Sequence, residues 1–432
     1  MDKITLVLCG DILISRRIAK STLEKDIVSF LLRKHECIFG NLETTIHNRE
    51  GYPAAFPGGG YSMADPSCLT DLRSYGFNLL NTANNHSMDY SCNGLMATIK
   101  YLNKEKIAFA GTGKNLSDAS RPVYFECEHG RVAMLGLTSS FHDSYLAGPQ
   151  NQEMMGRPGV SPLRHQVIYE LDEIRFQQLE DIANMIGINN QRKQAIKEGY
   201  APKTDELQFG NLYQRFKRGA SVKKISYPYH QDLSRTIDWI KDAKDKSDVI
   251  IVSVHSHQFD GSEKTNPPEF IRLFSHACID AGADIIVSHG PHLIRGIEEY
   301  SGGVIFYGLG NFIFQHEYVE FLPEEYYQKF NLTRQSSYGT SNLFEIRSAH
   351  HKKGLKTDPM AWESFIPSLS ITKELIDITI YPIGISIKSG LPFLSKNNSV
   401  LERINNMSGP FSTSIDIDSE LNIGKISIYR NK

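Results

Sequence analysis

Strand-like and helix-like stretches alternate along most of this chain. Residues 4–9 are a continuous apolar run of strand length, stopping at Gly10-Asp11. A helical pattern over 19–32 leads to a short strand over 36–39, which runs into Gly40-Asn41-Leu42-Glu43. A helix over 66–75, with Asp65 as its N-cap, precedes the apolar Phe77, Leu79 and Leu80. The pattern then turns polar at once, crowding Asn81, Asn84, Asn85, His86 and Asp89 together before a helix over 93–104 and a short strand over 107–110. Residues 123–128 and 132–137 flank a Glu-His-Gly-Arg turn as a hairpin. The rhythm stops between 144 and 229, a polar and mostly helix-like segment. It resumes with a helix over 230–243, a β-branched strand over 248–254 ending at His255, a helix over 268–281, and a strand over 283–287 ending in Ser288-His289-Gly290-Pro291-His292. A second hairpin follows over 297–307. Beyond Phe321 the pattern is less regular, with short strands at 375–381 and 384–387.

Five predicted strands therefore end in metal-binding side chains: Asp11, Glu43, Asn85 with His86, His255, and His289 with His292. In a parallel sheet the carboxyl ends of the strands share one edge, so these groups can converge. One polar turn before a helix needs no function. The same residue types at the end of one buried strand after another point to a site. Mixed carboxylate, amide and imidazole suits Mn, Fe or Zn; it is too nitrogen-rich for calcium and lacks the thiolates of a structural zinc site. The ligands exceed one tetrahedral site, which leads to an expectation of two divalent metal ions, about 3.5–4 Å apart, activating a water.

Composition narrows the classes. The 432 residues allow two or three domains or one elaborated α/β domain, and the net charge of -2 gives no reason to expect nucleic acid as a partner. Six scattered cysteines without a CxxC suit a reducing compartment. No apolar stretch is long enough for a membrane anchor or signal segment, so the expectation is a soluble, cytoplasmic protein with no membrane partner. The Gly/Pro-rich stretch 51–60 reads equally as a surface loop or as a substrate lid. Between 190 and 225 nine Lys/Arg face three acids, Glu198, Asp205 and Glu206, which is either a solvated face or a basic rim for an anionic substrate.

The motifs Gly10-Asp11, GNLET from Gly40, NTANNHSMD from Asn81, AGTG, RPGVSPLR from Arg157, DAGADIIVSHGPH from Asp280 and IFYGLGNFIF from Ile305 together resemble the capsule synthesis protein CapA (poly-γ-glutamate synthesis) family. The resemblance implies a calcineurin-like metallophosphoesterase relative: a four-layer α/β/β/α sandwich over 1–320, with a helical, basic insertion at about 144–229 and a 321–432 extension packing on the core. It implies Asp11, Glu43, Asn85, His255, His289 and His292 as metal ligands, and His86 as a general acid or phosphate contact oriented by Asp89. Asn84, His257 and Asn311 fall on the substrate side. The sequence departs from the pattern at Asp11-Ile12-Leu13, at His255-Ser256-His257 and at Ser288 to His292, which leaves a metal site credible and the substrate open.

The leading expectation is a metal-dependent hydrolase cleaving a phosphoester or amide in an anionic small-molecule or peptide-like substrate. The alternatives are an amide-forming or accessory role in poly-γ-glutamate or capsule-like synthesis, for which no P-loop is present, and a non-catalytic protein that binds an anionic polymer through the basic segment.

Overall fold

Strand Ile4–Leu13 is where the first sheet is assembled. The computed structural model describes every residue except 1, 2, 24, 25, 205, 210–213, 334–338 and 432. The strand pairs in parallel with Cys37–Leu42 and Asn311–Phe314, and antiparallel with Glu363–Ile371. Cys37–Leu42 in turn pairs in parallel with Leu79–Asn81, which pairs with Ala108–Ala110. The continuous apolar run follows from burial on both faces. Leu6 and Leu8 belong to one apolar cluster, and Val7 and Cys9 to another.

A second, six-stranded sheet runs in the order Ile297–Tyr300, Gly303–Phe306, Ile285–His289, Val249–His255, Gly130–Thr138, Val123–Cys127. Its inner strands are parallel, and the two predicted hairpins form its antiparallel edges. Leu6, Leu8 and Phe39 of the first sheet share a buried cluster with Met134, Ile251 and Val287 of the second. The first sheet's opposite face packs Val7, Ile38 and Leu80 with Leu69 and Leu72 of helix Cys68–Tyr75. The second sheet's opposite face packs Leu135, Val252 and Ile286 with Ile240 of helix His230–Lys244 and Phe274 of helix Glu269–Ala281. The result is a mixed α/β molecule with several sheets.

Three expectations need correction. The segment 144–229 is not simply helical: helices Glu173–Met185 and Asn190–Lys197 accompany a four-stranded sheet of Leu207–Gln208, Arg215–Arg218, His165–Leu171 and Lys223–Pro228. Charged cross-strand partners hid it from a hydrophobic pattern, because Glu170 takes Lys217 at 2.8 Å and Lys223 at 3.0 Å. The helix expected over 19–32 is two short ones, Lys20–Leu23 and Ile27–Leu32, the second capped by Asp26; Glu24 and Lys25 between them lie outside the described residues, as does Asp205 of the basic segment. The strands expected at 375–381 and 384–387 are one strand, Leu375–Ile385, carried through Pro382 by its pairing with Glu363–Ile371. This strand, Glu363–Ile371, Ile423–Tyr429 and Asp416–Asp418 extend the first sheet to ten strands together with Asn311–Phe314 and Pro392–Leu394.

Candidate metal centre

The site begins at an irregularity. Pairing of strand Ile4–Leu13 with its parallel neighbours shifts register around Asp11, and such bulges re-aim a side chain. Gly10 permits it: a Cβ there would stand 1.9 Å from the Gly310 carbonyl oxygen. Glu43 follows the end of strand Cys37–Leu42, with its amide on the Ile12 carbonyl at 3.1 Å. His255 and His289 close two adjacent strands and are register partners. The loop then turns sharply. Gly290 (φ 114°) donates its amide to Asp11 Oδ2 at 3.0 Å, and His292 is itself left-handed (φ 57°), a strained conformation for a histidine.

Two groups of potential ligand atoms result. Asp11, His255 and His289 form one, and Glu43, His257 and His292 the other, with the ligand atoms of each group within 4.8 Å of one another. The groups adjoin: His255 Nε2 is 3.7 Å from Glu43 Oε1, and His292 Nδ1 is 3.5 Å from Asp11 Oδ2. Outer partners select the inward-facing nitrogens. Ser253 Oγ holds His289 Nε2 at 2.8 Å, which leaves Nδ1 facing Asp11. Asn311 spends its amide on the Ala361 carbonyl, so its oxygen accepts from His292 Nδ1 at 2.9 Å and leaves Nε2 facing Glu43. Asn41 Nδ2 donates to Asp11 Oδ1 at 2.8 Å and lies 3.2 Å from His255 Nδ1.

Burial governs the protonation of the chain alone. It pushes Asp11 up to about 7 and Glu43 well above the carboxylate range, with the neighbouring Asp11 charge adding to the latter. It drives His289 down to about 3 and His292 to about 4, and takes His255 and His257 well below the usual imidazole value. Both oxygens of Glu43 and Nε2 of His255 are buried with no hydrogen-bond partner. Such atoms are costly to leave unmet. Carboxylate oxygens and neutral imidazole nitrogens aimed at one another across 3.7–3.9 Å are too far apart to satisfy each other, and they are the donor set a divalent cation takes. The residues fit the metal that the sequence implied.

His86 and Asp89 stand beside these groups. His86 Nδ1 meets Asp89 Oδ2 at 2.6 Å, and His86 Nε2 is 4.0 Å from Glu43 Oε1. Asp89 is buried and also accepts the amides of Gly58 (2.9 Å) and Ser62 (2.7 Å), so it ties the Gly/Pro-rich loop to the site. That loop walls a cavity of about 880 Å³ onto which His86, His257 and His292 open.

The structure redistributes several expected roles. Asn85, expected as a ligand, stands beside the second group: its amide nitrogen donates to the Gly58 carbonyl at 2.7 Å, and its oxygen is 3.3 Å from His257 Nε2. His257, expected on the substrate side, lines the cavity and also stands in the second group. Asn84 is buried and donates to the Leu42 carbonyl at 2.8 Å while its oxygen accepts the His86 amide, so it shapes the turn and does not line the cavity. Asn311 positions His292 and does not reach the cavity either. Sequence reading missed Asn41 and Ser253. Asn41 sits at a strand end two residues before Glu43, a signal the same reasoning could have used. Ser253, inside an apolar run, gave none.

The chain belongs to the bacterial capsule synthesis protein PGA_cap family, whose model matches residues 5–316. It is 30% identical over 453 residues to the uncharacterized protein y4sH of Sinorhizobium fredii, covering 98% of this chain and 93% of that one. It is 26% identical to the PGA biosynthesis protein CapA of Bacillus subtilis and 25% identical to the capsule biosynthesis protein CapA of Bacillus anthracis, over 72% of this chain and 64% and 60% of theirs. Among the described residues no helix is long and apolar enough to cross a membrane.

Proposed function

We propose that the chain is a metal-dependent hydrolase of the CapA type, built as a four-layer α/β/β/α metallophosphoesterase-like sandwich and acting on a phosphoester or amide in an anionic substrate. The layering is supported by the shared cluster between the two sheets and the helix-covered clusters on their other faces. The observation that carries the metal reading is the unpartnered, buried Glu43 carboxylate facing His255 Nε2.

In this reading Asp11, His255 and His289 hold one divalent ion and Glu43, His257 and His292 the other. When bound, such a pair of Mn, Fe or Zn ions supplies an activated water and stabilises charge on the attacking and leaving oxygens. Asn41, Ser253 and Asn311 hold the ligands in the required tautomers and directions. Asp89 accepts from His86 Nδ1 and turns Nε2 toward the substrate, where the ring in its imidazolium form would pass its Nε2 proton to the leaving group.

The names of the two CapA relatives, PGA biosynthesis and capsule biosynthesis, motivate the second reading, an amide-forming or accessory role in poly-γ-glutamate or capsule-like synthesis. The polymer-binding alternative is weakened, because five of the nine cations of the basic segment have acidic partners: Lys217 and Lys223 meet Glu170, Arg218 meets Glu173, Arg215 meets Glu206, and Lys224 meets Asp260.

The test is turnover of a panel of phosphoesters and γ-glutamyl amides by metal-loaded protein and by Glu43→Gln. The expected result is loss of activity in the variant and in chelator-treated wild type, with unchanged circular dichroism. Activity that survives both treatments contradicts the proposal.

A further inference from the structure

The cavity beside the metal groups has a far wall that the family match, ending at residue 316, does not include. That wall comes chiefly from Tyr326 of helix Glu324–Gln328, Lys329 just after it, and Phe344 and Arg347 of helix Thr340–Arg347. The lining has an unusual charge balance. Acids outnumber bases over the whole chain, 49 to 47, yet among the described residues no aspartate or glutamate lines this cavity. Three permanent cations do, Lys264, Lys329 and Arg347, all exposed at its mouth.

Exposed cations usually need no ligand. These differ from the chain's other basic clusters in their surroundings. Lys217, Lys223 and Arg218 of the insertion are matched by acids, and nearby Lys356 is held by Glu317 at 3.0 Å. Among the described residues no acid lies within ion-pairing distance of Lys264, Lys329 or Arg347. Arg347 points across the mouth: a Cβ placed on Gly60 of the loop tied down by Asp89 would stand 3.8 Å from its Nη1. Between this cation and the metal groups runs a row of rings. His292 is 5.4 Å from Phe314, and Phe314 stacks on His316 at 4.3 Å. Phe344 lines the same cavity beside them.

We propose that helices Glu324–Gln328 and Thr340–Arg347 with Lys329 build an oxyanion subsite, in which Arg347 and Lys329 bind a carboxylate or phosphate of the substrate that is separate from the bond to be cleaved. The rings of Phe314, His316 and Phe344 pack the body between the two ends, and Lys264 attracts the approaching anion. A guanidinium fork matches either oxyanion in bidentate geometry, and cations around an apolar-walled cleft concentrate anions there. The identity of the reacting end rests on the hydrolase reading; the subsite itself does not.

Calorimetric titration and steady-state kinetics of the metal-loaded full chain test this with two pairs of probes. γ-Glutamyl anilide against its α-carboxamide measures preference for a remote carboxylate. Hydroquinone bisphosphate against phenyl phosphate measures preference for a remote phosphate. Wild type is expected to prefer the doubly functional member of at least one pair by about tenfold, the scale of one charge-assisted contact. Arg347→Met/Lys329→Met should bring that ratio to within about twofold, through Kd and KM, and Arg347→Lys should retain part of it. Whichever pair carries the preference identifies the oxyanion. No preference in wild type, no binding of any acidic probe, or a preference untouched in the double variant overturns the subsite. Turnover without preference leaves the hydrolase standing and removes the subsite; preference in Kd that the variant abolishes, without turnover of any probe, does the reverse.

Discussion

Individual side chains at the centre divide into those that face a common point and those that hold them there. Ser253 and Asn311 are of the second kind, each fixing one ring nitrogen of a histidine. Removing such a partner typically costs 10–100-fold in metal affinity. Ser253→Ala and Asn311→Ala are therefore expected to weaken metal binding by about that range while the protein stays folded; competition with a chromogenic chelator measures it, and unchanged affinity contradicts the assignment. His86 should behave differently. His86→Ala is expected to lower turnover by about 10²–10⁴ with full metal content, the usual scale of one acid–base group. Loss of metal instead would make His86 a ligand. The strand-end residues Asp11, Glu43, His255, His289 and His292 were legible in the sequence because each follows a recognisable buried strand. The place of His257 in the second group was not. It depends on the direction the Ser256–Gln258 turn takes after its strand, and no periodicity encodes that.

At the scale of elements, the site depends on close backbone approaches. Gly10→Ala would drive a methyl group into the Gly310 carbonyl, so it is expected to cost about 3 kcal/mol or more and to lower the yield of folded protein, measured by urea denaturation. A wild-type midpoint in that variant contradicts the packing described. The insertion offers a pH test away from the metal groups. His165 stacks on Phe270 with ring centroids 4.0 Å apart, and burial pushes it from 6.5 to about 4. Its depressed value favours folding above pH 6.5, and that contribution is lost as pH falls from 6.5 through about 4, because the unfolded chain takes up the proton first. His165→Phe should flatten the fall in stability across that window; an unchanged slope contradicts it. The small sheet around His165 was invisible to hydrophobic patterning. Its strands carry charges on the faces that pair, so Lys217 and Lys223 read as a basic run rather than as partners of Glu170. The hairpins at 123–138 and 297–306, with clear turn residues between apolar runs, were legible for the opposite reason.

The whole molecule is more continuous than the family match suggests. Strand Glu363–Ile371 pairs directly with the first strand, and Arg430 closes the chain by reaching Asp284 Oδ1 at 2.6 Å, in a pair that is almost wholly buried. A chain cut after residue 316 would expose the edge of its first strand and leave Asp284 without that partner. It is expected to aggregate or remain partly unfolded, seen as lost near-ultraviolet dichroism; a soluble, cooperatively melting fragment contradicts this. The alternation of strands and helices made the α/β class legible, but the late strands were too irregular in sequence to be assigned to the same sheet. The dinuclear metal site is the claim on which the functional reading turns. Elemental analysis of protein purified without added metal or a metal-binding tag, beside His289→Ala, tests it most directly. About two equivalents of Mn, Fe or Zn per chain, lost in the variant, is the predicted result. Metal-free wild type, even after reconstitution, would contradict it.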